Sequence, residues 1–409
     1  MKHEKTKSEM QDLLGRMKDH LYSKESLFGD GSPFTELLQT MVNKMLEGEV
    51  EDHIENDLQS GKRNKRNGYT KKQVITSSGP IEVSTPRDRN ATFEPELIGK
   101  REKELSSGLD EQIIALYAQG NSIEDVRRLI KKMYGVEISA GKISQITDNV
   151  LPEIDAWRNR PLQTFYPIVY LDAIHFKVRH EGIYSTRAFY TAYSVDWAGN
   201  RDLLGLYVTQ SEGAYHWGLI LQDLKKRGVE EILVICTDNL KGFSQTIQEE
   251  FPTSIIQKCI VHQMRNSLKY VDDKDVKKVA SSLRKVYVAS TMEAALSAFE
   301  LFKQQWGEPY SYIVEQWEQG WHELMAFIDF GNDIRRMIYT TNPVEALHRI
   351  IRKIVKSKAA WVSETALFKQ IYLALKQNQK SWKRTAYNWK SIQREIMTKY
   401  PDLIKKHIG

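Results

Sequence analysis

Cysteine and long apolar runs are both scarce in this sequence. Cys236 and Cys259 are the two cysteines among 409 residues, too few for the disulfide framework of a small secreted protein. No apolar run approaches the roughly 18 residues that a membrane-spanning helix needs. The polar start, MKHEKTKSEMQDLL, lacks the apolar centre of a signal peptide. These absences predict a cytoplasmic protein.

Internal repeats and low-complexity tracts are also absent, so we expect ordinary globular domains. A hydrophobic fraction of 41% and a mean hydropathy of −0.50 are typical of water-soluble chains with sizeable cores. Because 409 residues exceed one ordinary domain, two or three are expected.

Acidic residues become scarce towards the end of the sequence. After Glu345 the chain carries fifteen lysine and arginine residues against three acidic ones, although the net charge of the whole chain is only +6. A second basic run, GKRNKRNGYTKK, covers residues 61–72. Basic segments interleaved with aromatic residues favour binding to a nucleic-acid backbone, whereas a solvated lysine-rich tail would have the same composition. The aromatic residues in question are Trp361, Trp382, Tyr387 and Trp389.

Residues 109–150 have the pattern of three short helices. The first ends at Gly120, Ser122 and Asp125 form a capping box for the second, and Ser139 begins the third. Short helices joined by a tight turn favour a helix-turn-helix DNA-binding module. Three packed helices that do not contact DNA would have the same pattern. The polar side of the third helix is predicted to carry Lys142, Ser144, Gln145 and Thr147, with Lys142 and Gln145 as DNA contacts.

From residue 167 the pattern changes to strands. Earlier in the chain, residues 73–88 have the pattern of a short hairpin. After residue 167, three apolar segments predict a meander of three strands. A helix and the apolar strand EILVICTD follow, and SIIQKCIVHQ is predicted as a fifth strand. This order predicts a mixed sheet covered by helices. A long helical stretch at 270–335 then interrupts the α/β rhythm, and we interpret it as an insertion.

Two acidic residues each follow an apolar strand sequence. Asp172 follows IVYL and Asp238 follows LVICT, at strand ends where an α/β sheet presents its functional groups. Buried carboxylates are usually paired, hydrogen-bonded or bound to metal. If the first and fourth strands are neighbours, Asp172 and Asp238 converge, and a helix behind the sheet can bring Glu345 to them. Three carboxylates suit a hard divalent cation such as Mg²⁺.

Glu345 also has a purely structural interpretation. In the segment TTNPVEALHRIIRK, Asn342 is a favoured N-cap, Pro343 suits the first helical position, and Glu345 falls where a capping box closes. The capping and metal-binding roles can coexist. The cations that follow Glu345 are predicted to hold DNA phosphates, and they are Arg349, Arg352, Lys353 and Lys356.

Four blocks of this sequence resemble those of a known family. YPIVYLDAIHFKVR, CTDNLKGF, KCIVHQMRN and IRRMIYTTNPVEALHRIIRK look like the signature blocks of bacterial Mutator-type insertion-sequence transposases. The resemblance implies an α/β ribonuclease-H-like mixed-sheet catalytic domain of the DDE type, with an α-helical insertion between the second aspartate and the glutamate. Asp172, Asp238 and Glu345 take the positions of the three acids. The last block departs slightly from the family, because Pro343 replaces a common Ala and residues 346–348 replace a more polar sequence.

Cys259 and His262 fall on the Cys-x-x-His element of the same family. Two ligands are not the four of a structural zinc site, and no second pair has suitable spacing. We therefore expect Cys259 to lie in the sheet core and His262 to lie near the acids or a DNA phosphate. Arg265 is a further candidate DNA contact.

The resemblance implies a DNA transposase that binds terminal inverted repeats as a homodimer or higher oligomer, nucleoid-associated when bound to DNA. It would cleave and join strands with Mg²⁺ or Mn²⁺, two ions in all, held by the three acids. A non-catalytic helix-turn-helix regulator and a related ribonuclease-H-like nuclease are the alternatives. The chain then divides into an N-terminal helical region (1–60), a mainly helical DNA-binding region (61–160), the first part of the core (161–270), the α-helical insertion (271–335), and the core completion with the Glu345 helix and basic tail (336–409).

Overall fold

The computed structural model falls into two compact units, Met1–Val150 and Leu151–Gly409. Within the described residues, no helix is both long and apolar enough to cross a membrane. The residues that the structure describes are 2–23, 27, 31–76, 79–100, 108–134, 137–180, 183–209, 213–240, 242–339, 342–355 and 361–409.

The first unit begins with two helices and a hairpin. Helix α2 packs on strand β2, and the apolar side chains between them form a small core. The expected hairpin is confirmed, but it starts earlier, so that half of the basic run 61–72 lies on an exposed strand. These elements are α1 (Lys2–Tyr22), α2 (Pro33–Gln59), β1 (Arg66–Thr76) and β2 (Gly79–Asp88).

Three short helices complete the first unit: α3 (Gly108–Ala118), α4 (Ile123–Tyr134) and α5 (Ala140–Asp148). The capping box is confirmed, because the Asp125 amide donates to Ser122 Oγ at 3.0 Å and the Ser122 amide donates to an Asp125 carboxylate oxygen at 3.2 Å. Ser139 caps α5 by accepting from the Lys142 amide. The prediction that Thr147 lies on the polar side is wrong, since it is buried and donates to the Ser144 carbonyl.

The second unit is built on a five-stranded mixed sheet with the order β5-β4-β3-β6-β7. Strands β3, β4 and β5 are antiparallel neighbours, while β6 runs parallel to β3 and to β7. The predicted mixed sheet is therefore present, with β3 at its centre. Its elements are α6 (Leu151–Arg158), β3 (Phe165–His180), β4 (Ile183–Val195), β5 (Arg201–Thr209), α7 (Ala214–Lys226), β6 (Glu231–Thr237), α8 (Phe243–Glu250) and β7 (Ile255–Lys258).

Helices α7 and α8 cover one face of this sheet. Trp217 of α7 is fully buried; its ring stacks on Phe243 with centroids 4.6 Å apart and meets Tyr190 of β4 edge-on. Burial of such large aromatic rings contributes strongly to stability. This core packs against β3 and β6 and holds them side by side.

The fifth strand is shorter than expected. β7 ends at Lys258, and Cys259 is the N-cap of the next helix, so His262 lies on a helix and not on a strand. A mainly helical segment follows, and Trp306 and Trp317 are buried within it. Its helices are α9 (Ile260–Leu268), α10 (Val276–Tyr287), α11 (Met292–Trp306), α12 (Ser311–Met325) and α13 (Asn332–Ile338).

The basic C-terminal segment folds onto the second unit and is not a free tail. Trp361, Trp382 and Trp389 are buried, whereas Tyr387 is exposed. Three of the four aromatic residues therefore pack in the core and do not offer a stacking surface. The segment follows α14 (Asn342–Val355), and its helices are α15 (Glu364–Gln377), α16 (Gln379–Trp382), α17 (Trp389–Lys399) and α18 (Pro401–His407).

Candidate active site

Asp172 and Asp238 lie side by side where the pairing of β3 with β6 ends. Asp238 directly follows β6 as predicted, whereas Asp172 lies inside β3, because that strand continues to His180 by pairing with β4. The parallel register of β3 and β6 finishes with Leu171 opposite Thr237, and each aspartate is the next residue along its chain. Strand register thus brings together two acids that are distant in sequence. This confirms the expectation that the first and fourth strands of the sheet are neighbours.

The two carboxylates occupy an unfavourable environment for negative charge. Burial, together with the charge of Asp238, raises the pKa of Asp172 to about 7. Burial also raises the pKa of Asp238. Each carboxylate accepts one backbone hydrogen bond, from the Ala173 amide at 2.8 Å and from the Leu240 amide at 3.3 Å. These bonds favour the charged form but do not offset the burial.

A buried threonine and histidine support Asp172. The Thr191 hydroxyl donates its one hydrogen to the Asp172 carbonyl at 3.0 Å, so its oxygen accepts from His348 Nε2–H at 2.8 Å. His348 Nδ1 then faces the Asp172 carboxylate at 3.4 Å. Burial lowers the pKa of His348 to about 3, so the ring is neutral. Thr191 therefore links the Asp172 backbone to a neutral His348 ring, whereas His348 Nδ1, which carries no hydrogen, donates no bond to the carboxylate.

His348 was missed by sequence reasoning. On α14, Val344, Leu347, His348 and Ile351 are all buried at helical spacing, so the histidine occupies a position in the apolar stripe. Its neighbours made it resemble a core residue. A polar residue within an otherwise apolar stripe was the available signal.

Glu345 lies on α14, about one turn before His348. Its carboxylate accepts from the Arg265 guanidinium at 3.3 Å, and its side chain is 25% exposed. The helix begins at Asn342 itself, so Asn342 is the first helical residue, where it had been expected to precede the helix. Thr341, which precedes it, lies outside the described residues.

A cleft of about 450 Å³ collects most of the predicted functional side chains of the second unit. Asp172 and Glu345 line it together with the predicted DNA-binding cations, and Asp238 adjoins Asp172 in the sheet. Lys142 and Gln145 are on α5 in the first unit, and Lys356 lies outside the described residues. The lining residues are Asp172, Ala173, His262, Arg265, Glu345, Arg349, Arg352 and Lys353.

Cys259 and His262 sit beside the acids at the start of α9. The nearby Cys259 thiol, with the Asp172 and Asp238 carboxylates contributing, raises the pKa of His262 to about 9. Cys259 is buried and its amide donates to the Thr237 carbonyl at 2.8 Å. His262 thus lies near the acids, as expected.

The arrangement fits a divalent cation at two of its three acids. In the described part of the chain, no three His, Cys, Asp or Glu side chains are close enough together to hold a metal ion, and Glu345 is paired with Arg265. Asp172 and Asp238 are oxygen donors whose raised pKa values a cation would lower, which suits Mg²⁺ or Mn²⁺. Glu345 can join them only by exchanging Arg265 for the ion.

Comparison with known proteins places the chain among transposases. The model of the family "Transposase, Mutator family" matches residues 10–385. The chain is 37% identical over 379 residues to the transposase for insertion sequence element ISRM3 of Rhizobium meliloti (strain 1021), covering 92% of this chain and 93% of that protein. It is 34% identical over 337 residues to a probable insertion-sequence transposase of Corynebacterium diphtheriae, covering 78% and 98%.

A solved structure, NurA with manganese, is 12% identical and covers 58% of this chain and 63% of that chain, with a TM-score of 0.10. That score carries no information about the fold. The family match covers more than nine-tenths of the chain and includes every residue of the cleft, as the sequence blocks predicted. The chain is a member of the Mutator family of transposases.

Proposed function

We propose that this transposase is a DDE-type enzyme that cuts DNA at the terminal inverted repeats of its element and joins the free 3′-hydroxyl to a new phosphodiester. The observation that carries the proposal is the adjacency of Asp172 and Asp238 where the β3–β6 pairing ends, with Glu345 in the same cleft as Asp172. The sheet order is compatible with the ribonuclease-H-like fold that the sequence blocks imply.

The residues of the cleft have separable roles in this proposal. Asp172 and Asp238 would hold Mg²⁺ or Mn²⁺, with Glu345 as a third ligand. Once bound, two such ions activate a water or hydroxyl nucleophile and stabilise the leaving oxygen. Thr191 would hold the Asp172 backbone and orient the His348 ring against its side chain, as groups around metal ligands do.

The cations of the cleft would bind the DNA backbone. Arg349, Arg352 and Lys353 are exposed on α14 around the acids, where they would neutralise phosphates on both sides of the scissile bond. Arg265 would keep Glu345 neutralised until metal and DNA arrive. Lys142 and Gln145 on α5 are the candidates for reading the terminal repeat.

The test replaces each acid by its amide in the full chain. We expect Asp172→Asn, Asp238→Asn and Glu345→Gln to fold and to bind terminal-repeat DNA, but to lose cleavage and strand transfer by a factor on the order of a thousand or more. Calorimetric titration with Mn²⁺ should show weaker binding for the two aspartate variants, independently of activity.

Two other acids provide matched controls. Asp196 accepts from the Asn200 amide in a turn, and Glu323 pairs with Lys258, so Asp196→Asn and Glu323→Gln should cut DNA like the parent. Cleavage at the parental rate by Glu345→Gln would remove Glu345 from the site. DNA binding without any cleavage by the parent in Mg²⁺ or Mn²⁺ would favour the non-catalytic regulator. Cleavage without strand transfer would favour the nuclease.

A further inference from the structure

Helix α9 is bonded to the segments that carry two of the three acids. The amide of its N-cap, Cys259, donates to the Thr237 carbonyl at 2.8 Å, immediately before Asp238. The amide of its first residue, Ile260, donates to the Tyr339 carbonyl at 3.1 Å, shortly before α14 begins. The position of α9 therefore bears on residues 238–240 and on the start of α14.

A buried glutamine of α9 bonds to the residue on the other side of Asp238. The Asn239 side-chain amide donates to the Gln263 side-chain oxygen, and Gln263 is 4% exposed. A hydrogen bond that is shielded from water is electrostatically stronger than an exposed one. Both sequence neighbours of Asp238, Thr237 and Asn239, are thus bonded to the N-terminal end of α9.

The carboxylate of Asp238 has little support of its own. Among the described residues, its one hydrogen bond comes from the Leu240 amide, at the long distance of 3.3 Å. Its position consequently depends on the backbone that carries it, and a metal ligand must be held to within roughly 0.5 Å of its working position. The bond between Asn239 and Gln263 restricts that backbone at the adjoining residue.

The other end of α9 is fixed to helix α12. Ser267 Oγ donates to the Gln263 carbonyl at 2.8 Å and accepts from Trp317 Nε1–H at 2.9 Å. The Tyr312 hydroxyl donates to the Ser267 carbonyl at 2.8 Å. Ser267 and Trp317 are both fully buried. About one turn after Gln263, α9 is therefore anchored in α12 and can serve as a fixed base for the Asn239 bond.

We propose that Gln263 is a positioning residue that holds Asp238 in place for metal binding. The proposal rests on the proposed function, which makes Asp238 a ligand of Mg²⁺ or Mn²⁺, and it adds the group that keeps this ligand in position. Gln263 would act through Asn239 and contact neither the metal nor DNA. Without this bond the protein would keep its fold, but residues 238–240 would occupy a wider range of positions and Asp238 would bind the cation less tightly.

The first test replaces Gln263 by methionine in the full chain. Gln263→Met keeps a long unbranched side chain in the buried position but removes the acceptor for Asn239. Calorimetric titration should show Mn²⁺ binding about tenfold weaker than in the parent, as expected when a group around a metal ligand is lost. With terminal-repeat DNA at a limiting Mn²⁺ concentration, kcat should fall by a similar factor while KM stays at the parental value, because DNA binding does not use this bond.

A second variant removes the same bond from its other end. Asn239→Ala deletes the donor and should weaken Mn²⁺ binding by a factor similar to that of Gln263→Met. The double variant should bind Mn²⁺ no more weakly than either single variant, because one bond cannot be lost twice. Additive losses would show that the two side chains act separately, which contradicts the proposal.

Gln257 supplies the matched control. It is also a fully buried glutamine, and its side-chain amide donates to the Leu324 carbonyl of α12 at 2.9 Å and to the Lys258 carbonyl at 2.7 Å. Gln257→Met therefore removes buried hydrogen bonds from β7 and leaves the Asn239 bond intact. It should lower the melting temperature at least as much as Gln263→Met, yet it should bind Mn²⁺ and cut DNA like the parent.

The outcomes separate this proposal from the proposed function. If Asp238→Asn and the parent bind Mn²⁺ equally well, Asp238 is not a ligand, and the proposed function and the role of Gln263 fail together. If Asp238→Asn weakens Mn²⁺ binding but Gln263→Met and Asn239→Ala do not, the proposed function stands and the Gln263 bond is only structural. Should Gln263→Met fail to fold, Asn239→Ala alone decides between these results, since Asn239 is only half-buried.

Discussion

Asp172 and Asp88 are both buried carboxylates, and their surroundings shift their pKa values in opposite directions. Burial raises the pKa of Asp172 to about 7, and Asp238 adds to the shift. Burial also acts on Asp88, but hydrogen bonds from Asn64, Phe93 and Thr92 hold its pKa well below the usual range. Hydrogen bonds within the fold therefore stabilise the charged form of Asp88. In the proposed function, a bound cation stabilises the charged form of Asp172.

Asp88 should make the first unit sensitive to acid. Its folded pKa lies below its unfolded value, so its contribution is complete above about pH 4 and is lost as the pH falls towards the folded pKa. Asp88→Asn should lower the free energy of unfolding by about 2 kcal/mol at neutral pH and flatten this acid dependence. Urea unfolding of the full chain across a pH series measures both effects.

Glu47→Gln changes an exposed acid of α2 and is the control for charge alone; it should match the parent at every pH. If parent and Asp88→Asn lose stability in parallel as the pH falls below about 4, the hydrogen bonds to Asp88 do not produce the acid sensitivity.

At the scale of elements, α14 has two distinct faces. Val344, Leu347 and Ile351 are buried, while Arg349 and Lys353 are exposed on the cleft side. The three apolar residues are spaced three and four positions apart, so they lie on one face of the helix, against the sheet. Arg349 and Lys353 consequently lie on the exposed face. One helix thus both packs His348 against Asp172 and presents cations to the solvent.

Neutralising the cationic face should weaken DNA binding without changing its sequence preference. Arg349→Ala/Lys353→Ala removes two phosphate contacts, so the slope of log affinity against log salt should fall by about 2 for both terminal-repeat and random duplex. Fluorescence anisotropy at several salt concentrations measures the slope. The control Lys390→Ala/Arg394→Ala changes two cations with the same spacing and similar exposure on α17 and should leave the slope unchanged. An equal fall in slope for both double variants would show a diffuse charge effect.

The sequence predicts best those structural features that are determined by residues close together along the chain. Side-chain caps at Ser122 and Ser139 and apolar strand runs are set by neighbouring residues, and so is the position of Asp238 after a strand. Asp172 lies inside β3, because pairing with β4 extends the strand to His180.

The apolar segment IIQKCIV predicts a longer β7 because it does not show where α9 begins. The Cys259 amide still bonds to Thr237 of the neighbouring strand, but the Ile260 amide donates to the Tyr339 carbonyl, a long-range contact. The hydrogen bond between Thr191 and His348 likewise joins β4 to α14; the apolar stripe of α14 marks His348 as unusual, but neither local sequence identifies its partner.

At the scale of the whole molecule, the C-terminal segment closes the second unit. Lys376 pairs with Glu153 at 2.6 Å, Lys406 pairs with Glu231 at 2.9 Å, and the His407 ring stacks on Phe165. Strand-like bridges also join Trp361 to β3 and Thr385 to the β4–β5 turn. Several of the lysines that made this segment look like a DNA-binding tail are thus engaged within the protein.

Deleting residues 361–409 should therefore unfold the second unit. If these residues formed a free tail, the deletion would only weaken DNA binding. The deletion exposes the apolar surface that α15, Trp382 and Trp389 cover, a loss far above the roughly 5–15 kcal/mol of a typical domain's stability. Circular dichroism melting and limited proteolysis report the outcome. Lys376→Ala/Lys406→Ala should melt close to the parent, because exposed ion pairs contribute little to stability. A cooperatively melting, protease-resistant deletion variant would contradict the closing role of residues 361–409.

Because the last helices complete the second unit, that unit can fold only when synthesis of the chain is nearly finished. Asp172 leaves the ribosome with β3, early in the second unit, but the proposed site also needs Glu345 on α14 and the packing supplied by residues 361–407. A nascent chain therefore contains Asp172 and Asp238 long before the proposed site is complete. Premature stop codons or frameshifts in the final tenth of the gene would yield inert protein, so element copies decayed only at that end should be as immobile as those lacking the acids themselves.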